Sequence, residues 1–103
     1  MGRRREERRL NLIELRAAID EIDADLVERL AAREALVRLA AGLKTDEQAV
    51  RAPARVEEVI AKVRALAVQE GATPDVVERV YRAMIGAFID LELAEHRADG
   101  AGA

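Results

Sequence analysis

The 103-residue sequence predicts an all-α fold of three helices per chain, the first much the longest. Three observations carry that expectation. Apolar residues recur at steps of three and four along most of the chain, and no period-two alternation is sustained. Pro53, Pro74, Gly42 and Gly71 set the breaks between these stretches. The apolar half of the composition is aliphatic and rich in alanine, with one Tyr, one Phe and no Trp.

In the first stretch Leu12, Leu15, Ile19, Ile22, Leu26, Leu30, Val37 and Ala40 form one stripe, interrupted at position 33. A start near Arg8 and an end at Ala41, with Gly42 just past it as a left-handed cap, give a rod of roughly 50 Å. A compact monomer of this size has a radius of gyration of only about 13 Å. Two shorter helices of the same chain cannot cover the whole stripe, so the expected assembly is an intertwined homodimer. Leu43 to Ala52 reads as a polar connection. Pro53 suits the first turn of a second helix with the seam Val56, Val59, Ile60, Val63 and Leu66, ended by Gly71. Thr73, Pro74 and Asp75 then supply a capping hydroxyl, a pre-set φ and a carboxylate at the positive end of the helix dipole. The third helix carries Val77, Val80, Tyr81, Met84, Ile85, Phe88 and Leu91 and runs to about Arg97. The helical domain is thus expected over 10–97, after a basic N-terminal extension, 1–9, and before a disordered tail, 98–103.

Composition excludes several classes of function. Seventeen Lys and Arg against twenty Asp and Glu leave a net charge of −3, which recruits neither DNA nor an anionic membrane. Without cysteine there is no disulfide scaffold and no thiolate metal site, and His96 alone makes neither a metal centre nor a catalytic triad. No apolar run approaches the ~20 residues that cross a bilayer, and no apolar segment follows the charged start as in a secretory signal. A soluble cytoplasmic domain is therefore expected. The non-enzymatic reading is a helical dimer scaffold, or a nucleic-acid binder using Arg3, Arg4, Arg5, Arg8 and Arg9. Glu6 and Glu7 interrupt that run, and aromatics to stack on bases are lacking, so no nucleic-acid partner is expected.

Charges fall where apolar residues belong. Arg33 sits on the first stripe between Leu30 and Val37, where a guanidinium is costly unless an anion meets it. A structural acid on another helix is one such anion and a ligand is another. Arg16 lies beside the same stripe, with Asp20 one turn on as an ordinary partner. Lys44 stands just beyond the first helix, where a flexible ammonium can swing over a ligand or simply be solvated. Arg55 is a cation in the first turn of the second helix, the end that favours anions, with Glu57 and Glu58 as ordinary partners. Glu92 continues the line Tyr81, Ile85, Phe88 on an apolar face, and one of the arginines is its ordinary partner. Four cations and one acid facing a helical interior suit a small ligand with two carboxylates.

On these residues the chain resembles the all-helical chorismate mutase family, from about Leu10 to Arg97. Leu15-Arg16-Ala-Ala-Ile19-Asp20-Glu-Ile22-Asp23, with Leu26, Leu30 and Arg33, is similar to the family's first-helix signature. Lys44 matches its loop lysine, Arg55 its second-helix arginine and Glu92 its third-helix Gln or Glu. The resemblance implies an intertwined dimer whose pockets draw on both chains, with Arg16 reaching across from the partner. It implies a pericyclic rearrangement of chorismate to prephenate, with no cofactor and no metal. Arg16, Arg33 and Arg55 would grip the substrate carboxylates, and Lys44 with a protonated Glu92 would bracket the ether oxygen. The family's frequent Asp and Glu are replaced here by Ala52 and Val56. In that respect, and in Ala52-Pro53-Ala-Arg55-Val56, the chain is similar to the isochorismate-pyruvate lyase branch, though that branch carries Gln where Glu92 stands. An aminodeoxychorismate mutase is a third activity consistent with changes at those two positions.

Overall fold

The computed structural model describes residues 9–102, with side chains through 99. The Arg-rich extension read over 1–9 falls, apart from Arg9, outside the described residues. These residues form four helices and no strand: α1 (Leu12–Ala41), α2 (Glu47–Arg51), α3 (Pro53–Glu70) and α4 (Pro74–Gly102). The all-α class stands, with a short helix added inside the expected polar connection. No helix among the described residues is long and apolar enough to cross a membrane. The chain divides into two compact units, Met1–Ala35 and Leu36–Ala103.

The helix ends differ from the sequence reading in instructive ways. α1 begins at Leu12 and not near Arg8, because Asn11 and Glu14 close a reciprocal cap. The Glu14 N–H donates to Asn11 Oδ1 at 2.8 Å and the Asn11 N–H donates to Glu14 Oε1 at 3.2 Å. α1 ends before Gly42, but Gly42 does not adopt the left-handed conformation expected of it. Instead the Leu43 and Lys44 N–H groups donate to Ala40 and Ala41 carbonyls at 3.0 and 3.1 Å. Two tightened turns thus satisfy the last carbonyls and carry the chain directly to Lys44.

The Asp46 carboxylate accepts from the Ala49 N–H at 2.8 Å and caps α2, which buries Val50 in a stretch read as polar. Ala52, φ 37°, joins α2 to α3 in the left-handed conformation, and Pro53 opens α3 as expected. α3 ends at Gly71, φ 75°, where the Ala72 N–H reaches back to the Ala67 carbonyl at 2.8 Å. α4 continues to Gly102, past the expected end at Arg97.

Within Leu36–Ala103 the core is small: Val50 of α2, Ile60, Val63 and Ala67 of α3, and Ile85 and Leu93 of α4. The α3 seam closes on Ala67, while Leu66 remains exposed. α1 buries none of its residues, and Leu15, Ile19, Ile22, Leu26 and Leu30 all remain exposed in the single chain.

Candidate active site

Glu92 is the buried charged residue among the described residues, 5% exposed. Its position on α4 continues the face of Tyr81, Ile85 and Phe88, so the helix that packs those side chains inward also carries the carboxyl inward. Desolvating a carboxylate is costly without a partner. The partner is Lys44, whose Nζ donates to Glu92 Oε2 at 2.9 Å. Lys44 is half-buried and arrives from the tightened turns after α1. The sequence reading offered an arginine as the ordinary partner of Glu92. Periodicity along α4 places the acid but carries no information about which cation a connecting loop delivers.

Two further ion pairs fix the segment around Lys44 to α4. Arg38 Nη1 donates to Glu95 Oε1, and Arg97 Nε donates to Glu47 Oε1 at 2.9 Å. The Arg97 guanidinium, by hydrogen bond and then by charge, holds the Glu47 carboxyl below its ordinary value. These four residues were not singled out from the sequence, since pairs between distant elements leave no local spacing to find.

Arg55 is exposed on the first turn of α3, and its Nη1 donates to Glu58 Oε1, one of the two ordinary partners foreseen for it. Arg16 and Arg33 belong to the Met1–Ala35 unit. Arg33 is half-buried, one of few α1 positions that is not fully exposed. Arg16 is exposed and makes no ion pair with Asp20 among the described residues. Leu36–Ala103 therefore brings Lys44 and Glu92 together, while Arg55 pairs with Glu58. Ala52, between α2 and α3, and Val56, early in α3, present no polar atom beyond the backbone.

An ammonium carries three donors, and one is engaged by Glu92. The pair can therefore offer donors to an electronegative atom arriving beside it in a poorly hydrated setting, where such hydrogen bonds are strong. Among the described residues there is no cluster of His, Cys, Asp and Glu that could hold a metal ion.

The chorismate mutase type II family model matches residues 15–93. The chain is also 33% identical over 78 residues to an isochorismate pyruvate lyase of Pseudomonas aeruginosa, a match covering 76% of this chain and 77% of that protein. The matched segment runs from the residue before Arg16 to the residue after Glu92 and so takes in every candidate named from the sequence.

Proposed function

The chain belongs to the chorismate mutase type II family, and from that premise we propose that it is a chorismate mutase acting on chorismate to give prephenate. The observation that carries the reading is the pair of half-buried Lys44 and buried Glu92, 2.9 Å apart, inside the matched segment. In this rearrangement one C–O bond breaks as one C–C bond forms, and negative charge grows on the ether oxygen. Lys44 donates to that oxygen, and Glu92 brackets it from the other side, helping only in its acid form because a carboxylate repels the growing charge. A preorganised donor in a dry site is worth about 100- to 1,000-fold in rate. Arg16, Arg33 and Arg55 bind the two carboxylates, holding the enolpyruvyl arm over the ring and converting lost freedom into rate. Arg55 exchanges Glu58 for a substrate carboxylate on binding. No cofactor takes part.

The site is completed in an intertwined homodimer in the cytoplasm, with Arg16 supplied by the second chain. The support for this is α1 itself, whose stripe from Leu15 to Leu30 is exposed in the single chain. Burying such a stripe contributes roughly 25 cal/mol per Å² of apolar surface removed from water.

A second reading is isochorismate-pyruvate lyase, favoured by the name of the Pseudomonas aeruginosa relative and by the apolar Ala52 and Val56. Purified chain offered chorismate, isochorismate and 4-amino-4-deoxychorismate in parallel separates the activities. Prephenate from chorismate as the fastest product supports the mutase. Salicylate plus pyruvate as the dominant products replaces it with the lyase, and faster turnover of the amino analogue replaces it with the third activity. Sedimentation of the same sample as a monomer at micromolar concentration removes the dimer.

A further inference from the structure

The segment that carries Lys44 is tied to α4 on both sides of the lysine. Before it, Arg38 pairs with Glu95, and after it, Glu47 pairs with Arg97 at 2.9 Å. Glu95 and Arg97 lie on the turns of α4 that follow Glu92. The two ties have opposite polarity. α4 contributes the acid to the first and the base to the second. Sliding the segment so that Arg38 meets Arg97, or Glu47 meets Glu95, juxtaposes like charges, so the pattern selects one register and disfavours its neighbour. In that register the Lys44 Nζ meets Glu92 Oε2.

We infer that Glu95 and Arg97 are positioning residues, which by gripping Arg38 and Glu47 hold the Lys44 ammonium against Glu92. For the chemical role of Lys44 the inference rests on the function proposed above. Its placement of Lys44 does not depend on that function. The four side chains are between 38% and 61% exposed, so each tie is weak and is screened by salt. Weak ties suffice for this purpose, because a displacement of about 1 Å at a reacting group can cost a hundredfold in rate. Salt sensitivity is the signature that separates the ties from the Lys44–Glu92 pair, whose acid is buried and whose lysine is half-buried.

The test uses the full chain and two readouts. Acetylation of lysines by an N-hydroxysuccinimide ester, followed by peptide mass spectrometry, reports the freedom of Lys44, with the exposed Lys62 on α3 as internal reference. In the Glu95→Gln/Arg97→Gln double variant Lys44 is expected to label roughly three- to tenfold faster, with Lys62 unchanged. In the unsubstituted chain 0.5 M salt is expected to produce part of that rise. Exchanging the charges, with Glu47→Arg and Arg97→Glu together, is expected to restore slow labelling that either substitution alone loses. On whichever substrate is turned over, kcat is expected to fall by a similar factor while KM holds. Unchanged Lys44 labelling in the double variant overturns the inference, as does labelling that rises equally at Lys62, the mark of general loosening. Should the double variant fail to fold, the charge exchange against its two single substitutions decides the point. If no substrate is turned over, the functional reading fails while the labelling still decides what holds Lys44.

Discussion

The two halves of α4 use ion pairs of nearly equal length for different ends. Near its start, Arg82 grips Glu57 of α3 with two donors at 2.9 Å and Glu78 with a third at 2.7 Å. Arg64 of α3 adds Glu78 at 2.8 Å and Asp75 at 3.0 Å. Toward its end, Glu92 takes one bond from Lys44 at 2.9 Å. Every member of the first network is well exposed except Glu78, whereas the Glu92 side chain is 6% exposed. The network is a solvated clasp that sets how α3 and α4 lie together, and water would replace much of it if it opened. The Lys44–Glu92 pair has no such substitute, and removal of one partner strands the other. Bond length therefore does not distinguish a fastening from a site. Burial does.

The largest expected effect tests that distinction directly. Lys44→Ala is expected to lower kcat by about 100- to 1,000-fold, measured by steady-state turnover, because in the proposed mechanism it removes a donor aimed at growing charge. Arg82→Gln, which removes more hydrogen bonds, is expected to leave the rate within about twofold. Comparable losses in the two variants would erase the contrast between the halves.

Next in size is a change at Glu92. As a carboxylate it accepts from Lys44, whereas in the proposed mechanism an uncharged donor is what the departing ether oxygen needs. Glu92→Gln is therefore expected to keep kcat within about tenfold of the unsubstituted chain, while Glu92→Ala loses about 100-fold, both measured by steady-state turnover. Equal losses in the two variants would leave Glu92 a purely structural acid.

Between the halves in their effect on the fold lies Ala52, which joins the α2 segment to α3. Its φ of 37° is unfavourable for a residue with a Cβ, and Pro53 behind it disfavours helical values further. Ala52→Gly removes the Cβ penalty but adds freedom to the unfolded chain, for a net stabilisation of about 0.5–1 kcal/mol. A thermal midpoint a few degrees higher would register it. A lower midpoint would mean that the Ala52 methyl packs for more than its backbone costs.

What was legible in the sequence follows the range of the interaction that made it. Glu92 could be placed on the inner face because the steps through Tyr81, Ile85 and Phe88 are local to one helix. The Asn11–Glu14 cap and the Asp46 cap are equally local, each spelled by an amide or acid shortly before the helical run, where the periodicity alone suggests a start near Arg8 and a polar connection. The tight turns at Gly42 were not legible, since glycine at a helix end permits the left-handed conformation without requiring it. Nor was the meeting of Lys44 with Glu92, nor the ties at Glu95 and Arg97. Each joins residues far apart in the chain, and no spacing encodes which of several cations a short segment will present to α4.

The smallest expected effect concerns the clasp and its dependence on acid. Arg82, chiefly through its hydrogen bonds, holds the Glu57 and Glu78 carboxyls below their ordinary value of 4.5. A carboxyl with a depressed native pKa binds fewer protons folded than unfolded. Its contribution is thus complete above the ordinary value and is lost as pH falls through the native one. Unfolding midpoints followed by circular dichroism are expected to decline below about pH 4.5, and the decline is expected to be shallower in Arg82→Gln, where the two acids have lost their main partner. Because these groups are bathed in solvent and screened by ions, the difference between the variants is expected to be small and to shrink further in high salt. A large difference that persists in high salt would mean the clasp is shielded like the Lys44–Glu92 pair, and that the two halves of α4 do not differ in the way their exposure indicates.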